Sequence, residues 1–147
     1  IPEEFRPLIG NRIYGCDDCQ LICPWNRYAV TSAEHDFSPR HELHTPELLT
    51  LWSWDEKTFL KTTEGNPIRR IGFEKWQRNL AVALGNAPYC EAIVSALERD
   101  AGSVTPLVQE HLLWALAQQN HKRESPSRNN RTERLIRCIE KGMPDHA

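Results

Sequence analysis

RNLAVALG, residues 78–85, is answered 32 residues later by EHLLWALA, residues 110–117, and the relation between these two segments decides the fold. Each reads as a helix with a stripe of small and aliphatic side chains: Ala81, Ala83 and Leu84 in the first, Leu113, Ala115 and Leu116 in the second. Between them YCEAIVSALERD, 89–100, sets Ile93, Val94 and Leu97 at helical spacing, with a stop expected at Asp100, Ala101 and Gly102. Gly85 and Asn86, followed by Pro88, predict the end of the first helix. Glycine and asparagine tolerate left-handed geometry, and proline cannot continue a helix.

Working outward, TPELLTLWSWDEKTFLKTTEG, 45–65, reads as a further helical unit, with Thr45 as a cap, Pro46 in the first turn and a second cap at Ser53 or Asp55. Trp52, Trp54 and Phe59 are expected to pin this unit to its neighbours. HKRESPSRNNRT, 121–132, is a polar linker without apolar period, and TERLIRCIEKG, 132–142, a last short helix with Leu135, Ile136 and Ile139 inward. Helix pairs at such a period predict an all-α fold of HEAT-like repeats, an α-solenoid.

GCDDCQLICPWN, 15–26, concentrates three of the five cysteines within eight positions. The number of cysteines is odd and no secretory leader supports a disulfide framework, so a metal or cluster is the leading expectation for Cys16, Cys19 and Cys23. Bacterial ferredoxins carry C-x2-C-x2-C-x3-C-P, in which the cysteine before proline ligates a different cluster from the others. CDDCQLICP reproduces the end of that run, and Ile13 stands where its first cysteine would be. On this template Cys16 and Cys19 serve one cluster and Cys23 another, the remaining ligands coming from elsewhere. Cys90 and Cys138 are the only candidates for those ligands within this chain, but both read as helical residues, and burial as small apolar side chains, or a surface thiol for Cys138, is the expectation. The competing expectation is a structural zinc completed by His35, His41 or His44, although neither a second C-x2-C nor an H-x3-H accompanies the triplet. Trp25 and Asn26 are expected to pack and cap this loop.

The chain has 147 residues, 39% hydrophobic and 26% charged, ordinary values for a globular protein large enough for a core. No apolar run approaches the roughly 20 residues of a membrane helix, so a cytoplasmic protein without membrane contact is expected. The first residue is Ile1, and little precedes the cysteines, which suggests the C-terminal part of a longer protein. The net charge of −2 hides an asymmetry: 6 Lys and Arg face 11 Asp and Glu through residue 68, and 12 face 9 thereafter. Arg69, Arg70, Lys75 and Arg78 gather around one helix start, and Lys122, Arg123, Arg128 and Arg131 lie in the linker. Such groups are usually solvated charges, yet a concave solenoid lined with them would seat folded RNA through its phosphates. Arg69, Arg70, Lys75 and Arg78 are the expected RNA contacts.

NRIYGCDDCQLICPWN, RNLAVALGN and EHLLWAL together resemble the C-terminal portion of the epoxyqueuosine reductases. The resemblance implies an oxidoreductase of queuosine biosynthesis, which removes the epoxide oxygen of the modified wobble base of tRNA. It also implies two 4Fe-4S clusters in a ferredoxin-like module, a HEAT-like domain after it, and cobalamin bound by an N-terminal domain. Cys16 and Cys19 then resemble ligands of one cluster and Cys23 the single ligand of the other, in an electron-delivery role. Residues 1–30 would be the second half of the cluster module, 31–120 the HEAT-like repeats, and 121–147 the polar linker and C-terminal helix. The implied partners are tRNA and an external electron donor, with the protein a monomer. No catalytic residue is assigned to this chain, which alone is expected to be inactive. The alternative is a HEAT-like interaction module with a structural zinc and no redox role.

Overall fold

A computed structural model describes residues 1–30, 32–35, 43 and 46–124. Among them every regular element is helical, in agreement with the all-α expectation. The helices are α1 (Arg6–Ile9), α2 (Asp18–Leu21), α3 (Leu48–Trp52), α4 (Glu56–Thr62), α5 (Phe73–Asn86), α6 (Glu91–Asp100) and α7 (Pro106–Glu124). Short 3-10 turns at Glu3–Phe5, Pro24–Tyr28 and Pro67–Ile71 join them. The expected cap Thr45, His41, His44, Cys138, Arg128, Arg131 and the last helix lie outside the described residues.

The core forms where α5 packs along α7. Trp76, Leu80, Ala81, Val82, Ala83 and Leu84 are buried on α5, and Val108, Leu112, Trp114 and Ala115 on α7. The two similar segments therefore face each other across one interface. A Cβ added at Gly85 would come within 2.6 Å of Trp114 Cζ3 and 2.9 Å of the Ala115 Cα, so only glycine permits this approach. The expected stripe on α7 needs correction: Leu113 is exposed. The buried line is Val108, His111, Leu112, Ala115 and Gln119, which recurs at the three- and four-residue steps of one helical face.

α5 ends at Asn86, where the sequence put the end of the helix, but both Gly85 and Asn86 belong to the helix and neither takes the left-handed geometry expected there. Side chains of α7 close that helix end instead. Gln119 Nε2 donates to the Leu84 and Ala87 carbonyls at 2.7 and 3.1 Å, and Lys122 Nζ donates to those of Gly85 and Ala87 at 2.6 and 2.7 Å. The last carbonyls of a helix have no intrahelical donor, and these contacts supply one. They also explain why α7 runs on to Glu124, past His121, where the polar composition predicted a linker.

The stretch 45–65 holds two short helices. Asp55 caps the second, its carboxylate accepting the Thr58 N–H at 2.8 Å. Trp52 and Phe59 are buried as expected, and Trp54 stacks on Trp76 at 5.9 Å between ring centroids. α6 buries Ile93, Val94 and Leu97 and ends at Asp100, where Oδ2 accepts the Trp52 indole N–H at 2.8 Å and ties α3 to α6.

Candidate metal centre

The cysteine loop follows an arm that is fastened to α5. Gly10 and Gly15 take positive φ, 63° and 68°, and turn the chain on either side of Arg12. Asn86 Nδ2 donates to the carbonyls of Arg6 and Gly10 at 2.8 and 2.9 Å, and Asn79 Nδ2 to that of Ile13 at 2.7 Å. Arg6, itself buried, pairs with Glu110 of α7 and lies over the Trp114 ring. The arm is thus held by both helices of the core. Asn79 was not singled out from the sequence, and Asn86 only as a helix end; the signal of both as anchors was a polar amide at each end of an otherwise apolar run, LAVALG.

Within the loop, Asp17 adopts a left-handed conformation, φ 52° and ψ 9°, and opens the single turn of α2. Asparagine and aspartate accept this region more readily than most residues. Arg12 pairs with Asp18 at 2.8 Å, and each charge stabilises the other, so the guanidinium holds its proton above its ordinary range. Asn26 Nδ2 donates to the Gln20 carbonyl at the end of α2, the capping role expected of it. Trp25, by contrast, stays exposed instead of packing on the loop.

Cys16 and Cys19 are exposed, Cys23 is half-buried, and none of the three is in a disulfide. Three soft thiols accessible on one loop suit an iron–sulfur site in donor chemistry, and fall one short of the four thiolates of a four-iron cluster. Among the described residues no three His, Cys, Asp or Glu side chains converge as a metal-binding group. His35 is exposed and brings no fourth ligand into such a group. Cys90 also departs from expectation: it precedes α6 in extended conformation and is exposed, its N–H bonded to Gln119 Oε1 at 3.2 Å.

A cavity of about 210 Å³ opens beside Cys16, between the arm and α5, lined by Ile9, Arg12, Ile13, Tyr14 and Asn79. It is below the roughly 300–1,000 Å³ of ordinary small-molecule sites, and cobalamin would not fit in it.

The basic group divides. Arg69 and Arg70 on the Pro67–Ile71 turn and Lys75 in the first turn of α5 are exposed. Arg78 is half-buried, with Nε and a terminal nitrogen both donating to Asn79 Oδ1, at 3.1 and 2.8 Å. Its guanidinium orients the amide that holds Ile13. Lys122 is occupied at the end of α5, and burial there lowers the affinity of its amine for a proton.

No protein-family model matches the chain. No solved structure matches it. Curated relatives do: the epoxyqueuosine reductase of Escherichia coli strain K12 is 58% identical over 100% of this chain and 39% of its own length. That of Salmonella typhimurium is 60% identical over 97% of the chain and 38% of the relative, and that of Vibrio cholerae 52% identical over 100% and 39%. The chain is thus similar, from end to end, to a stretch of the epoxyqueuosine reductases that makes up about 39% of their length.

Proposed function

We propose that this chain forms part of an epoxyqueuosine reductase, an oxidoreductase that reduces epoxyqueuosine to queuosine at the wobble position of tRNA. The observation that carries the proposal is the 58% identity to the Escherichia coli reductase across the whole chain. The free thiols of the CDDCQLICP loop supply the chemistry to match it. In this reading residues 1–30 are the second half of a ferredoxin-like module and the helices after them a HEAT-like domain. Cys16 and Cys19 ligate one 4Fe-4S cluster and Cys23 the other, with the missing thiolates supplied outside this chain. Clusters so held supply single electrons, and cobalamin, bound elsewhere, a centre able to accumulate them near the substrate. Removal of an epoxide oxygen as water takes two electrons and two protons. This chain's own residues contribute thiolates, an arm that Asn79 and Asn86 fix to α5, and cationic side chains for tRNA phosphates. An external donor feeds the clusters, and the protein works in the cytoplasm as a monomer. No described helix is long and apolar enough to cross a membrane.

The test is anaerobic iron, sulfide and cobalt analysis of the intact gene product, with a visible spectrum. About eight irons per chain, as two four-iron clusters hold, with broad absorption near about 400 nm, is the expected result. Cys16→Ala, Cys19→Ala and Cys23→Ala should each lower the iron content and abolish epoxide reduction while tRNA still binds. One zinc and no iron, or undiminished turnover in these variants, would overturn the assignment.

A further inference from the structure

Just beyond the last thiol of the triplet the chain builds a feature that the proposed reaction does not use. Trp25 is 73% exposed and Tyr28 60% exposed, on the Pro24–Tyr28 turn that Cys23 opens. Their ring centroids lie 5.6 Å apart with planes inclined at 43°. The Arg27 guanidinium stacks over the Tyr28 ring, its carbon 4.7 Å from the centroid. Among the described residues no carboxylate pairs with Arg27. The turn is anchored from below, since Asn26 is bonded to the carbonyl at the end of α2 and the Ala29 N–H to the Asn26 carbonyl at 3.0 Å. Two exposed aromatic rings and a cation therefore stand together on one hydrogen-bonded turn.

We propose that Trp25, Arg27 and Tyr28 form a stacking platform for an unpaired RNA base beside the cysteine loop. The proposal rests on the tRNA reading above and deepens it. Every base has a π-face, so aromatic side chains with a cation among them hold single-stranded RNA with little regard to sequence. Leu21 and Ile22 are exposed nearby, and a covering protein surface would bury them too. Such a surface would also strip water from the Arg27 cation, which is costly without a partner charge. An RNA strand brings that charge in its phosphates, which is why the arginine favours RNA as the occupant. A base stacked on Trp25 would lie two residues along the chain from Cys23, next to the proposed path of electrons.

The intact gene product is titrated with a short RNA hairpin carrying 2-aminopurine in its unpaired loop, and with a fully paired RNA duplex of equal phosphate number. Stacking predicts quenching of the 2-aminopurine fluorescence by the wild type. Trp25→Ala should weaken hairpin binding about tenfold and remove most of the quenching, while duplex affinity is unchanged and Trp25→Phe restores both. Tyr28→Ala should act in the same direction and guards against a folding defect in the first variant. Unchanged hairpin binding and quenching in Trp25→Ala and Tyr28→Ala overturn the platform. If Arg70→Glu still weakens both RNAs in that case, the tRNA reading survives without it. A fall in thermal stability of Trp25→Ala without any change in hairpin binding assigns the ring to a protein contact and likewise overturns the proposal. Failure of the wild type to bind either RNA removes the tRNA reading and the platform together.

Discussion

His111 is fully buried, and its Nδ1 lies 2.8 Å from the Leu107 carbonyl, which can only accept. Nδ1 therefore carries the proton of the neutral ring, and Nε2 accepts from the nitrogen of Ile1 at 2.9 Å. Burial, the largest influence, lowers its affinity for a second proton; the Leu107 carbonyl opposes this. Because the folded-state pKa lies below the unfolded one, stability is fully present above the unfolded value of about 6.5 and declines as pH falls through it. Urea unfolding followed from about pH 7 to about pH 5 should show a falling midpoint, and His111→Asn, less stable at neutral pH, a flatter profile. Gln119 illustrates the same point without a charge. Its amide satisfies two carbonyls and one N–H inside the fold; it stands four residues after Ala115 on the buried face of α7, but a polar side chain there gives no apolar signal in the sequence.

The pairing of α5 with α7 turns on side-chain size. A glycine within a helix ordinarily costs about 1 kcal/mol relative to alanine, so Gly85→Ala in an unpacked helix would stabilise. Here the added methyl would meet Trp114 at 2.6 Å and the Ala115 backbone at 2.9 Å, and overpacking of this kind costs about 1–3 kcal/mol. The clash exceeds the propensity gain, and Gly85→Ala should lower the urea midpoint of unfolding. An unchanged or raised midpoint would mean that the two helices can separate without loss. The helices themselves are legible in the sequence: α5 and α6 occur where their apolar spacing puts them, because that spacing is local. The length of α7 is not, since Gln119 and Lys122 are stabilised by carbonyls more than 30 residues away in sequence.

At the scale of the molecule, charge separates along the chain, net −5 through residue 68 and net +3 after it. Of the positive group proposed to meet RNA, only part is free of a role in the fold. Arg69, Arg70 and Lys75 are exposed, whereas Arg78 holds Asn79 and Lys122 closes α5. Arg70→Glu and Lys75→Glu should weaken tRNA binding and reduce its dependence on salt by about one counterion for each phosphate no longer neutralised, measured as the slope of log affinity against log salt. A slope identical to that of the wild type would return both residues to the solvated surface. Arg78→Ala should instead loosen the arm at Ile13, an effect independent of salt.

The sequence by itself determined α5, α6, the thiol triplet and the family resemblance, because helical period, cysteine spacing and the CDDCQLICPWN run are all local patterns. Tertiary structure alone decided which polar residues serve the fold and which face outward. Asn79, Asn86, Gln119 and Lys122 are drawn inward by unpaired carbonyls on other segments. Trp25, whose size and apolar character point to packing, faces outward with Tyr28 on the described surface. Burial and hydrogen-bond partners are properties of segments distant in sequence that meet in space, and no spacing within one segment encodes them.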